Sequence, residues 1–483
     1  MFTAFLIMPA KTALRASFVV LLVLSTLTLG VSYATTALDD TTATVAAQRY
    51  ADGSDEPIVE PRDNVTVVAT DSNTWLGEET DDPRSKAELV AFDPDGSVLY
   101  YNDSHTRYWD VDPVPGTATT VEYAFSDHLS GSACPTDYDP AAYGVNESVW
   151  NEYEQARADT DACTLNGVER VNLTTGELTR VWSQVTPGKE ASRHHDVDRI
   201  NETHLAVADI YLDRVFVVNT DTGEMTWSWN ASSDFPRSGG GPYPVDWTHV
   251  NDVEVLPDGR LMADLRNQDQ VVFLDPTEPS DEALQENWTL GAEDDYDVLY
   301  EQHNPDYIPR EQGGPAVVIG DSENNRVVEY QRTGDGWERT WTWQDARMQW
   351  ARDADRLPNG HTLVADSNGD RVLEIDRSGD VVWSANIGFP YEVERLGTGD
   401  ESAGGPSATS ADIASSRGSG PLGALWVDVK GSLSGPVFSA TQYILPEWMG
   451  FVEFGAVVLF ALTALAWGAT ETWWVARRRF RRR

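Results

Sequence analysis

The chain has 483 residues and a formal net charge of −43, from 78 acidic against 35 basic side chains, of which only Lys11, Lys86, Lys189 and Lys430 are lysines. Such an acidic surface repels phosphates and excludes nucleic acid as a general partner, while 41% apolar content and 18 tryptophans exclude a disordered chain. Many carboxylates with few lysines suit a protein working in molar salt, where screening removes the self-repulsion, and point to a halophilic archaeal source.

Taken in chain order, the first element is the apolar run from Ala16 to Ala34, which follows Lys11 and Arg15. Residues 1–37 are expected to be a signal anchor, or a signal peptide cut near Ala34 or Ala37. From about residue 63 short strands take over, and no long helical pattern interrupts them. An Asp/Tyr-rich insertion holds the chain's two cysteines, Cys134 and Cys163. In an exported domain they are expected to form a disulfide, stabilising by about 3 kcal/mol in the chain-entropy model.

The segments from His194, His249, Gln302 and Ala351 then repeat one pattern: strand, turn, strand ending near Asp, second turn, alternating strand, Trp-bearing strand. Aligned on Asp196, Asp252, Asn304 and Asp353 they are spaced 56, 52 and 49 residues apart. A looser unit starts at Ala87, and another is completed from Gly167. Four strands per roughly 50 residues without helices predict an all-β fold, a six-bladed propeller of four-stranded antiparallel blades over residues 63–396. Residues 397–446 open with a Gly/Ser-rich stretch and are expected to be a flexible linker to the membrane. Residues 447–470 are long and apolar enough for a transmembrane helix, and residues 471–483 form a basic tail. Positive charge at both ends predicts cytoplasmic termini with the propeller outside. Seven Asn-x-Ser/Thr sequons, from Asn64 to Asn287, agree with export.

Equivalent positions of every blade converge on one channel. The alignment puts His195, Asn251, His303 and Arg352 in one column, with His249 two residues upstream of its column and Arg266 in the next turn of the same blade. Several imidazoles with guanidinium donors suit a tetrahedral oxyanion, and a neutral imidazole can attack it. Three histidines are also a possible zinc or copper set, but arginine adds positive charge where a cation would sit, so no metal and no cofactor are expected. His194 reads as a surface or supporting residue, and His105, His128, His204 and His361 read as solvated. The stretch Asp366 to Arg371 mimics the start of a calcium loop, yet equivalent stretches fill the same blade position, so it reads as a hairpin turn.

The segments "WTHVNDVEVLPDGRLMADLR", "EQHNPDYI" and "RHHDVDRI" resemble the His-x-Asn…Arg, Gln-His and earlier histidine-bearing segments of the arylsulfate sulfotransferases, six-bladed propellers of the bacterial periplasm. The resemblance covers about residues 191–387. It implies that His303 is the nucleophile taking a sulfuryl group from a phenolic sulfate ester, with His249, Arg266 and His195 binding and polarising the sulfate oxygens. Asn251 and Arg352 of the same column are expected to contact the substrate. The group would then pass to a phenol, without a nucleotide sulfate donor. A non-catalytic, membrane-anchored propeller that binds a ligand or protein outside the cell stays open beside this reading.

Overall fold

The computed structural model describes residues 10–34, 42–72, 86–156, 161–189, 191–417 and 448–480, with single positions at 427, 435, 439 and 445. The chain divides into two units, residues 41–443 and the paired termini 1–40 and 444–483.

The larger unit is the expected propeller: among the described residues, six sheets of four antiparallel strands in radial order, one of them extended by a short fifth strand. Blades 2 to 6 are each continuous in sequence. Their innermost strands are Arg107–Pro113, His194–Asn201, Val250–Val255, His303–Ile308 and Ala351–Asp353. Blade 1 is composite. Its innermost strand, Pro390–Arg395, comes from the far end of the domain and pairs antiparallel with Thr66–Thr70, closing the ring. Between blades, apolar residues of facing sheets interdigitate, and the buried tryptophans Trp229, Trp341 and Trp343 come from outer strands. These are the repeating Trp-bearing strands of the sequence.

One local device recurs in every blade. Each innermost strand carries a β-bulge against its neighbour, at or beside Trp109, His195, Asn251, Asn304, Arg352 and Tyr391. A bulge breaks the alternation of side chains and re-aims the extra residue. Consecutive residues of the innermost strand therefore reach the channel, where a regular strand would send every second one into the blade core. Backbone strain sits beside the bulges: Ala191, His249, Glu301, Trp350 and Phe389, all non-glycine, adopt positive φ just before or at the start of five of these strands.

The insertion of blade 2 lies between strands Thr120–Ser130 and Ala162–Asn172, and the Cys134–Cys163 disulfide forms there, with Cα atoms 5.7 Å apart. Its helix Glu147–Gln155 packs Trp150 and Tyr153 against Tyr211 of blade 3. One expectation is corrected. The stretch from Gly397 is no flexible tether in its first part: Glu401–Gly404 forms a 3-10 turn, Ala408–Ala411 a short helix, and Ser416–Arg417 pairs parallel with the outer strand of blade 5. Ser402 and Ser407 are fully buried. A Cβ on Gly405 would lie 1.8 Å from the Arg356 carbonyl oxygen, so the small residues there serve close backbone approach. Most of the remaining expected linker lies outside the described residues, as does the proposed cut near Ala37.

The terminal unit holds two apolar helices, Ala10–Ser32 and Phe451–Phe480, each long and apolar enough to cross a membrane. They pack on one another, with Phe18 stacked on Trp467 and Arg15 paired with Glu471. The expected basic tail continues the second helix through Phe480.

Candidate functional site

The propeller brings His195, Asn251, His303 and Arg352 to one end of the channel, and adds two residues that sequence reasoning missed, Trp109 of blade 2 and Tyr391 of blade 1. All six are buried. A signal for the missed pair is present in hindsight. An acid-x-acid triplet follows the column residue in most blades, as in Trp109-Asp-Val-Asp, His195-Asp-Val-Asp, Arg352-Asp-Ala-Asp and Tyr391-Glu-Val-Glu.

His303 has its protonation pattern imposed by its neighbours. Its Nδ1 lies 2.8 Å from Ser322 Oγ, and that hydroxyl donates its single proton to the Ala351 carbonyl at 2.7 Å. Ser322 is therefore set to accept from Nδ1–H, which favours the lone pair on Nε2, although the Glu301 carbonyl offers the ring a second acceptor. Burial, then the charges of Arg352 and Arg266, hold the imidazole well below its ordinary pKa, so it stays neutral. Trp350 stands edge-on to the ring at 5.6 Å, and Tyr391 at 6.4 Å.

A second chain of hydrogen bonds orders His195. Asn251 Nδ2 donates to Asp264 at 3.1 Å, which turns its Oδ1 toward the Tyr391 hydroxyl, also at 3.1 Å. Tyr391 spends its proton there and accepts from His195 Nδ1–H at 3.1 Å. Nε2 of His195 is thus bare, and among the described residues it has no hydrogen-bond partner although buried. The ring stacks on Trp109 with centroids 4.0 Å apart. Burial, then Arg193 and His249, lower its pKa well below the usual value. Asp264, which also accepts from Gln302, is pushed up to about 8 by burial.

His249 holds the third corner. Asp246 accepts from its Nδ1, and Arg266 Nη1 stands 3.3 Å from Nδ1 and 3.2 Å from Nε2, set against the ring as a whole. Burial brings its pKa down to about 4 against the pull of Asp246. Arg266 is fixed from behind by Glu301 at 2.7 Å. Arg352 is fixed by Asp71 at 2.9 Å and lies over the rings of Trp350, Phe389 and Tyr391 at 4.6 to 4.8 Å. The ring centroids of His195 and His249 are 5.1 Å apart. The guanidinium groups of Arg266 and Arg352 can hold an oxyanion, and the neutral imidazoles, whose N–H groups are spent on Ser322, Tyr391 and Asp246, can offer it a lone pair.

Beyond the column residues, the same strands line the channel with acid. One position on lie Asp110, Asp196, Asp252, Asn304, Asp353 and Glu392; two further on lie Asp112, Asp198, Glu254, Asp306, Asp355 and Glu394. Every one of the twelve is buried. Several carboxylates span blades by accepting a backbone N–H of the next innermost strand, as Glu254 does from Tyr307 and Glu392 from Val111. This satisfies donors that the edge strand of each sheet would otherwise leave unpaired.

The remaining histidines lie elsewhere, and several expectations about them are corrected. His194 is not at the surface; it is buried against Trp182 and Phe216. His105 is not solvated either, for it bridges Asp127 at 2.9 Å and Glu169 at 3.0 Å and stacks on Phe125. His128 is buried, and His361 pairs with Glu374 at 2.6 Å. Asp366 pairs with Arg371 at 2.8 Å across a tight turn, which accounts for that stretch as a hairpin.

No family model matches the chain, and no curated protein does. Among solved structures it is similar to a putative 6-phosphogluconolactonase of Bacteroides fragilis, at 12% identity and TM-score 0.42 over 68% of this chain and 97% of that one. It is also similar to a periplasmic gluconolactonase of Pseudomonas aeruginosa, at 14% identity and TM-score 0.41 over 70% and 99%. A chain of a nidogen/laminin complex matches at 11% identity and TM-score 0.40 over 68% and 97%. Likenesses this distant say nothing of chemistry, and the propeller assignment stands on the strand order itself.

Proposed function

We propose that the propeller transfers a sulfuryl group from a phenolic sulfate ester to a phenol, by way of a sulfohistidine at His303. The observation that carries this reading is the hydrogen-bond chain from Ala351 O through Ser322 to His303 Nδ1, which favours a neutral imidazole with its lone pair on Nε2.

In the first half-reaction Nε2 of His303 attacks sulfur, the S–N bond forms, and the bond from sulfur to the aryl oxygen breaks. The aryl oxide leaves with that electron pair and takes a proton from water. Arg266 and Arg352 bind the sulfate oxygens, whose charge persists throughout transfer, and His249, its N–H turned to Asp246, steadies Arg266. In the second half-reaction the oxygen of an incoming phenol attacks sulfur while Nε2 recovers its electron pair. The bare Nε2 of His195 takes the phenol's proton and passes it to water. No nucleotide and no cofactor enters either step.

The flanking charges favour cytoplasmic termini and an external propeller, and the acid excess favours a high-salt setting. The test is turnover of a chromogenic aryl sulfate by the full-length protein in detergent and molar KCl, with and without a phenol. Release that depends on the phenol supports transfer. A folded protein that neither releases the chromophore nor sulfates the phenol leaves a propeller that only binds.

A further inference from the structure

The mechanism above uses the column residues and leaves the two carboxylate rings behind them without a task. They are built by the innermost strands of all six blades, and eleven of their twelve members are acids. The basic residues nearest this end form ion pairs outside the rings, Arg395 with Glu374, Arg356 with Glu329 and Arg199 with Glu122, and act only as longer-range charges on Asp355 and Asp198 of the second ring. Part of the acid is explained by the bonds that tie neighbouring blades. The rest is not.

Several oxygens that line one cavity face no hydrogen-bond donor among the described residues, although their residues are more than nine-tenths buried. They are Oδ2 of Asp110, Oδ1 of Asp252 and Oδ1 of Asn304 in the first ring, and Oδ2 of Asp355 and Oε1 of Glu394 in the second. Leaving such an oxygen dry and unpartnered costs about 1–3 kcal/mol, more when it is charged. Two pairs of carboxyl groups, Asp110 with Asp196 and Glu254 with Glu401, also stand within hydrogen-bonding reach of each other, where a shared proton, a water or a cation can join them. Glu401 belongs to the turn that closes this end, and its neighbour Ser402 donates to Asp306 at 2.7 Å. The cavity is therefore walled on the side away from the histidines.

We propose that this cavity is a cation site, taking calcium or a hard cation of its class. The donors are all oxygen, from carboxylates and the Asn304 amide, with no sulfur or imidazole. That set suits calcium and disfavours zinc, copper and iron. Calcium also tolerates irregular shells of carboxylate and amide oxygens, whereas magnesium demands a near-ideal octahedron and keeps most of its water. Among the described residues no three His, Cys, Asp or Glu side chains already stand at metal-binding spacing, so the ion keeps part of its water shell or draws the free oxygens inward. Bound there, it would balance the rings and lock the six innermost strands together, holding the column residues of the same strands in place.

Protons are the rival occupant, since burial raises the pKa of both rings' acids, Asp110 and Asp252 among them. The two occupants predict opposite results for Asp110→Asn with Asp252→Asn. If protons balance the rings, removing acids relieves repulsion, and the variant melts at or above the wild type with or without calcium. If a cation does, the variant loses ligands and melts below the wild type in calcium. The experiment uses full-length protein in detergent and molar KCl, stripped with EGTA and then dialysed to equilibrium against calcium. The expected result is at least one calcium bound per chain, a melting temperature that climbs with calcium, and a loss of about tenfold or more in affinity in the double variant. Asp258→Asn, on an exposed turn, should change nothing. No bound calcium in the wild type overturns the proposal, even if the double variant fails to fold; so does a double variant that binds calcium as the wild type does.

Discussion

Replacing Ser322 by alanine removes one oxygen that never meets the substrate, yet it should disable the nucleophile. Ser322 is fully buried and is the acceptor, at 2.8 Å, for Nδ1–H of His303. Without it that N–H faces a dry wall, at a cost of about 1–3 kcal/mol. The ring can escape by moving its proton to Nε2, but then the attacking lone pair is gone. By either route the barrier rises by about 1–3 kcal/mol, which is about 5- to 150-fold in rate. The Glu301 carbonyl also lies against the ring and pulls the effect toward the lower end. The assay is steady-state turnover of a chromogenic aryl sulfate in molar salt, with a melting curve on the same preparation. The decrease should appear in kcat with KM nearly unchanged, because Arg266 and Arg352 still bind the sulfate. A kcat within about twofold of wild type, on folded protein, would refute the imposed tautomer.

Arg266→Ala should lower kcat by about a hundredfold or more, as losing a donor to transferred charge commonly does, and should leave the labelled residue unchanged; kinetics and peptide mapping check both. His361→Ala, whose ring pairs with Glu374 away from the column, should do little in the same assay. Activity should persist well below pH 6.5. A free imidazole protonates near ~6.5, but His303 is held well below that and His249 at about 4, so the neutral forms survive as acid is added past that range. An acid limb centred near ~6.5 would contradict this. Diluting the salt should lower the melting temperature, because 78 acidic residues then repel one another across a surface with 35 basic ones. An unchanged melting curve would count against the high-salt reading.

The repeat was legible because each blade spends the same residues on the same turns, and because two-residue alternation and a Trp-bearing outer strand survive without any partner in view. The column was legible at His195, Asn251, His303 and Arg352 for the same reason. Tyr391 was not, since the ring closes by pairing Pro390–Arg395 with a strand more than three hundred residues earlier, and composition does not announce such a pairing; Trp109 was not, since the long insertion of blade 2 breaks the repeat there. Local reading also misjudged the glycines and serines after Gly397: small residues read as flexible, yet here they let one backbone lie on another. His105 was misread because the carboxylates that hold it, Asp127 and Glu169, arrive from two other strands. Ser322 gives no sign in sequence at all, because its role is set by a carbonyl of the next blade.

The central claim is a covalent bond between sulfur and one named nitrogen. Full-length protein, folded in molar salt, is mixed with an aryl sulfate without acceptor, quenched at mildly alkaline pH and mapped by tandem mass spectrometry. An increment of about 80 Da is expected on His303 alone, formed with release of the phenol and discharged when a phenol is added. Absence of that label while the enzyme turns over, or a label on any other residue, would contradict it.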